Sequence, residues 1–138
     1  MSGPIRFGFQ VDTSDTYGHV LRPVAKVAMR VGRESWQPYY MYVDSGADVS
    51  IVSGLVGVVL GFTRRSGDKL RRLSGIGGSL SFVMRRVAMR IGDYELQADL
   101  GWAQSDDVPL ILGRKDVFDS FDVKIRQRDA ITEFRWRD

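Results

Sequence analysis

The sequence predicts a mainly β protein with one or two short helices, built as two similar halves. Hydrophobic residues recur at every second position over most of its 138 residues, the period of half-buried strands. Glycines punctuate these runs where hairpin turns belong. One segment, Lys26 to Gly32, also returns almost unchanged as Arg86 to Gly92, sixty residues on. That length fits a single domain over 1–138, with enough chain to bury a core.

Taken in order, Phe7, Phe9 and Val11 alternate with smaller or polar neighbours and predict a first strand. The stretch Asp12 to Gly18 reads as a loop, within an N-terminal extension covering residues 1–23. Val27, Met29 and Val31 define a second strand, and Tyr39 to Val43 is an apolar and aromatic run leading straight into Asp44. Leu55 to Leu60, closed by Gly61, is the best short helix. Leu70 to Leu73 and Ser79 to Met84 flank Gly75-Ile76-Gly77-Gly78 and predict a hairpin with a mobile tip. Val87 to Ile91 and Tyr94 to Trp102, about Gly92-Asp93, predict another. Val117 to Phe121 is a second helix candidate. Residues 122–138 end the chain as a hairpin about Arg128-Asp129.

The repeat extends this reading. Beyond its first copy lies Val43-Asp44-Ser45-Gly46, and beyond its second Leu110-Ile111-Leu112-Gly113, so each half reads as hairpin, apolar strand, glycine turn and short helix. Two such halves about a pseudo-twofold axis explain the pattern.

Composition removes several chemistries. No cysteine means no disulfide, thiolate metal site or cysteine nucleophile, and one histidine, His19, leaves no metal cluster and no easy Ser-His-Asp triad. The net charge of +3 permits an acidic partner without demanding one. The N-terminus lacks the apolar stretch of a signal peptide, and the longest nearly apolar run, Ile51 to Phe62, is too short to span a bilayer. The expectation is a soluble, cytoplasmic protein without membrane contact.

The sharpest local signal is Val43-Asp44-Ser45-Gly46-Ala47-Asp48. An apolar strand carries a carboxylate to its end, and small residues follow that admit a second backbone and turn N–H groups toward the carboxylate. Asp-Ser-Gly alone is ordinary turn chemistry. Here Val49, Ile51 and Val52 continue the apolar character past the turn, which argues that it lies inside the fold.

Asp44 to Val52, the glycine-rich hairpin from Leu73 to Phe82, and Ile111-Leu112-Gly113-Arg114 before a short helix agree in order and spacing with one family. The chain resembles the retropepsin-like, single-domain aspartic proteases over about residues 25–125. The resemblance implies a closed barrel-like β fold with a pseudo-twofold repeat and one flap hairpin. It implies Asp44 as catalytic residue, with Ser45, Gly46, Ala47, Asp48 and Arg114 supporting its loop. Ser45 would bond across a dimer axis, and Asp48 and Arg114 would pair. Gly75, Ile76, Gly77 and Gly78 would form the flap tip over a protein or peptide substrate.

One such motif per chain supplies one carboxylate, whereas an aspartic protease needs two sharing a proton. The natural completion is a twofold homodimer with one Asp44 from each subunit. No metal or organic cofactor is required. The resemblance also implies a cleft lined by Val43, Ala47 and Ile76 that favours apolar side chains beside the cut.

Two rival readings follow from other features. Arginine pairs such as Arg64-Arg65, Arg71-Arg72 and Arg85-Arg86, with aromatics such as Trp36 and Tyr40, suggest nucleic-acid binding. Interleaved acids and the modest net charge argue against it, so no nucleic-acid partner is expected. The second keeps the fold without the chemistry, as a dimeric binding or assembly module.

Overall fold

The structure is a computed structural model and describes residues 3–75 and 78–138. The element that organises it is the repeat. Strands β4 (Val24–Val31) and β8 (Gly78–Ile91) carry its two copies and pair antiparallel, with Met29 opposite Met89. These residues are each other's counterparts, which is the register a local twofold axis imposes. Val27, Met29, Val87 and Met89 point inward and are buried, while Lys26 and Arg86 stay on the outer face, as the period of two dictates.

Each copy turns into its own hairpin. β4 pairs with β5 (Ser35–Val43), and β8 with β9 (Tyr94–Ala103). Gly32 and Gly92 carry positive φ at the two turns, a conformation natural to glycine. Two short strands, β6 (Ser50–Val52) and β10 (Ile111–Leu112), pair with each other through Ile51 and Ile111, again counterparts sixty residues apart. β10 also runs parallel to the end of β5, and β6 parallel to the end of β9. The ring β4-β5-β10-β6-β9-β8 is therefore a closed six-stranded barrel. The predicted mainly β, closed, pseudo-twofold fold is borne out.

The register corrects one correspondence. Leu110 to Gly113 is not the counterpart of Val43 to Gly46. β10 matches β6, and the end of β5 matches the end of β9, so the second-half residue facing Asp44's place is Ala103. The β9 turn is one residue shorter than the β5 turn, and the sequence signal fades just beyond it.

The helices follow the inner strands. α1 (Gly54–Val59) starts at Ser53, whose Oγ accepts from Val56 N, and ends at Gly61 with φ +89°. It is the predicted helix shifted by one residue. α2 (Val117–Ser120) follows β10 and hands over directly to β11 (Phe121–Arg126), so Phe121 is strand rather than helix.

β7 (Arg71–Gly75) pairs with the start of β8, with Gly75 opposite Gly78, and forms the predicted glycine-rich hairpin. Ile76 and Gly77 lie outside the described residues. The two strands predicted from Ser79 to Met84 and Val87 to Ile91 are one fourteen-residue strand. The Arg85-Arg86 pair does not interrupt it because Arg85 turns inward onto a carboxylate. Its Nη1 and Nη2 donate to the two oxygens of Asp68 at 2.8 and 2.7 Å, and Nη2 also reaches Thr63 O.

The N-terminal reading changes most. The first predicted strand breaks at Phe9 into β1 (Ile5–Gly8) and β2 (Gln10–Ser14). The predicted loop from Asp12 to Gly18 is largely hairpin, since β2 pairs with β3 (Gly18–Arg22) about a turn at 15–17. β1 joins β12 (Ile131–Trp136), which pairs with β11 as the predicted C-terminal hairpin. Phe121, Phe134, Trp136 and Tyr94 fasten this sheet to the barrel; Tyr94 and Trp136 stack with centroids 5.0 Å apart.

Candidate active site

Asp44 sits one residue beyond β5. Its backbone N donates to Leu112 O of β10 and Val43 N to Pro23 O just before β4, so the strand end is fixed from both sides. The carboxylate is exposed, and its Oδ1 accepts from Gly46 N at 2.9 Å. A Cβ at Gly46 would come within 3.3 Å of that oxygen, so glycine admits the close approach of backbone to carboxylate. The turn closes with Ala47 N on Asp44 O.

The rest of the loop is braced by the second half. Ala47 O and Asp48 O accept from Arg114 N and Lys115 N, and Arg114 Nη2 reaches Asp48 Oδ1 at 2.9 Å. This pair matches the expected carboxylate–guanidinium partnership, but both side chains are solvated, so its net stabilisation is small. The deeper brace is Ser50, fully buried, whose Oγ accepts from Gly113 N at 2.9 Å. Gly113 crosses so tightly that a Cβ there would lie 2.4 Å from Val49 O. Ser50 was legible only as a lone hydroxyl in an apolar run between Val49 and Ile51. Ser45 is exposed, and its hydroxyl has no hydrogen-bond partner among the described residues.

Asp44 opens onto a cleft of about 510 Å³. Its apolar lining comes from Pro23, Val43, Pro109 and Ile111. Its polar wall is Asp12, Arg22 and Tyr42, which the sequence reading did not single out. Of the residues expected to line a substrate cleft, Val43 lines this one, Ala47 carries the brace to Arg114, and Ile76 lies outside the described residues. Tyr42 Oη donates to Asp12 Oδ2 at 2.8 Å, and Arg22 Nε donates to the same oxygen at 2.9 Å. The Tyr42 hydrogen bond, with Thr13 N and Arg22, holds the Asp12 carboxyl below the usual carboxylate range. The same bond pushes the Tyr42 phenol upward. The N-terminal hairpin is thereby pinned to the cleft beside Asp44.

Among the described residues no group of three or more His, Asp or Glu side chains is arranged to hold a metal ion, and no helix is long and apolar enough to cross a membrane. Several arginines of the suggested basic surface are tied to acids: Arg85 and Arg64 to Asp68, and Arg86 to Asp99 and Asp116. The guanidinium groups of Arg30 and Arg90 lie over Trp36.

A closed six-stranded barrel, with inner strands crossing behind a strand-end Asp-Ser-Gly, matches the retropepsin-like fold. Among solved structures the chain is similar to the EIAV protease complexed with the inhibitor HBY-793. The two are 22% identical, with a TM-score of 0.56, over 71% of this chain and 86% of that one. No family model and no curated protein matches the chain.

Proposed function

We propose that the chain is an aspartic endopeptidase that works as a homodimer, each subunit supplying one Asp44. The observation that carries this reading is the half-site. Asp44 is held at a fixed strand end with its carboxylate open to a cleft, while its counterpart in the second half is Ala103, which has no carboxylate. The likeness to the EIAV protease supports it at the level of the fold.

In the dimer the two Asp44 carboxylates share one proton, because like charges so close do not both ionise readily. The ionised one takes a proton from water as the water oxygen attacks the scissile carbonyl carbon. The protonated one donates to the carbonyl oxygen, and a proton then reaches the departing nitrogen as the C–N bond breaks. Activity needs one proton on the pair, so it belongs to acidic or mildly acidic solution. Ser45, with its hydroxyl unused within the described chain, bonds across the twofold axis. The Gly75–Gly78 hairpin closes over the peptide, and residues 122–138 contribute to the interface.

The test is cleavage of a mixed peptide library from pH 3 to pH 8 by wild type and by Asp44→Ala. Cleavage confined to wild type and blocked by a statine-type transition-state analogue is expected. No cleavage at any pH by a verified dimer would overturn the reading in favour of a binding or assembly module.

A further inference from the structure

The polar wall of the Asp44 cleft has a consequence for substrate choice. Resemblance alone implied an apolar lining, but β2 and β3 bring Asp12 and Arg22 to the cleft where they meet Tyr42 of β5. Asp12 is fully engaged: Oδ1 accepts from Thr13 N, and Oδ2 from Tyr42 Oη and Arg22 Nε. Arg22 is not, because only its Nε is used within the described residues. Its Nη1 and Nη2 leave N–H donors at the cleft, on a guanidinium whose orientation Asp12 fixes.

We propose, resting on the endopeptidase reading above, that this cleft selects peptides whose side chain beside the scissile bond has an apolar stem and a hydrogen-bond-accepting tip, glutamate or glutamine. The stem packs against Val43, Pro109 and Ile111, and the tip takes the free N–H groups of Arg22. Asp12 and Tyr42 act as positioning residues, since they touch the substrate only through Arg22. Lysine is disfavoured by the guanidinium. Leucine fills the apolar part but offers the half-exposed guanidinium no acceptor, so the hydrogen bond that glutamate or glutamine gains is missing.

Substrate choice separates this role from a structural one. Peptides identical except for Glu, Gln, Leu or Lys at the cut are compared by kcat/KM at pH 5.5, where glutamate is largely ionised. Wild type should prefer Glu and Gln over Leu by about tenfold, one charge-assisted hydrogen bond's worth, with Lys last. Arg22→Met should reverse the order toward Leu, Arg22→Glu should bring Lys forward, and Asp12→Asn should blunt the preference without inverting it. A wild-type preference for Leu or Lys, or an Arg22 variant that slows all four peptides equally, overturns the proposal. The same peptides, fluorescently labelled, are titrated onto Asp44→Asn by anisotropy. Ranked binding there without cleavage by wild type would sink the endopeptidase reading alone, and flat binding would sink the selectivity.

Discussion

The two halves of the barrel carry one backbone plan to different ends. In the first, the chain leaves β5 at Asp44, loops, and returns as β6; in the second it leaves β9 at Ala103, loops, and returns as β10. Each loop is tied to the segment just past the other half's inner strand. Ala47 O and Asp48 O hold Arg114 N and Lys115 N; Ser105 O and Asp106 Oδ1 hold Gly54 N and Leu55 N, the residues sixty positions earlier. The brace is shared, and the cargo is not. The first loop presents an open carboxylate, whereas Ala103 is fully buried. A fold that needs two symmetric loops for its own closure thus has one free for chemistry, and on the endopeptidase reading proposed above a second reactive loop comes from another copy.

The largest effect tests that asymmetry. Asp44→Asn should lower peptide cleavage by at least about a thousandfold while leaving the melting temperature nearly unchanged. Mixing equal amounts of wild type and Asp44→Asn, and allowing subunits to exchange, should halve the activity per wild-type chain, because mixed dimers hold one functional carboxylate. Activity indifferent to mixing would mean that a single chain holds the whole site.

Stability comes next. Arg85 is the second-half counterpart of Ala25, and the halves differ here as well: the first buries a methyl group, the second a guanidinium on Asp68. Arg85→Met should lower the melting temperature by roughly 10 °C, since it strips a buried carboxylate of its main partner. Ala25→Gly, which removes one methyl group, should do far less, and equal losses would contradict the contrast.

The crossing glycines sharpen the comparison. At Gly113 a Cβ meets the backbone at Val49 O and Ala47 O, which cannot yield, so Gly113→Ala should cost about 1–3 kcal/mol in chemical denaturation. At Gly54 the nearest obstacle, at 2.9 Å, is the Asp106 side chain, which can rotate, so Gly54→Ala should cost less.

Acid should act on the ion pairs. Asp68, Asp99 and Glu133 are held below the usual carboxylate range, chiefly by Arg85, Lys115 and Arg6 respectively. Depressed folded-state values mean that the unfolded chain takes up these protons first as pH falls. Their stabilisation is complete above the ordinary carboxylate range, about pH 4–5, and is lost progressively below it. Thermal melts should be level from pH 7 to 5 and fall below about pH 4. The smallest expected change is Asp48→Asn, whose solvated pair with Arg114 should contribute less than about 1 kcal/mol. A larger loss, or one insensitive to salt, would mean that the pair is shielded in the working assembly.

Much of this was legible in the sequence because it is local. Alternation along Val27, Met29 and Val31 fixes which face of a strand is buried, Gly32, Gly61 and Gly92 stand where φ must be positive, and the repeat of Lys26 to Gly32 in Arg86 to Gly92 announces two halves. The strand-end position of Asp44 was readable in the apolar run before it. What the tertiary structure decided depends on partners distant in the chain. Arg85-Arg86 looks like a break until Asp68 arrives to neutralise Arg85, and residues 12–18 look like a loop until β2 finds β3. The counterpart of Asp44 could not be assigned until the barrel register passed it to Ala103 rather than to the Leu110–Gly113 segment. The polar wall of the cleft is of the same kind, because Asp12, Arg22 and Tyr42 carry no shared period or motif and meet only where a hairpin folds back onto β5. Periodicity and turn chemistry are written in neighbouring residues. Charge pairing and cleft composition belong to contacts that exist only once the sheet has closed.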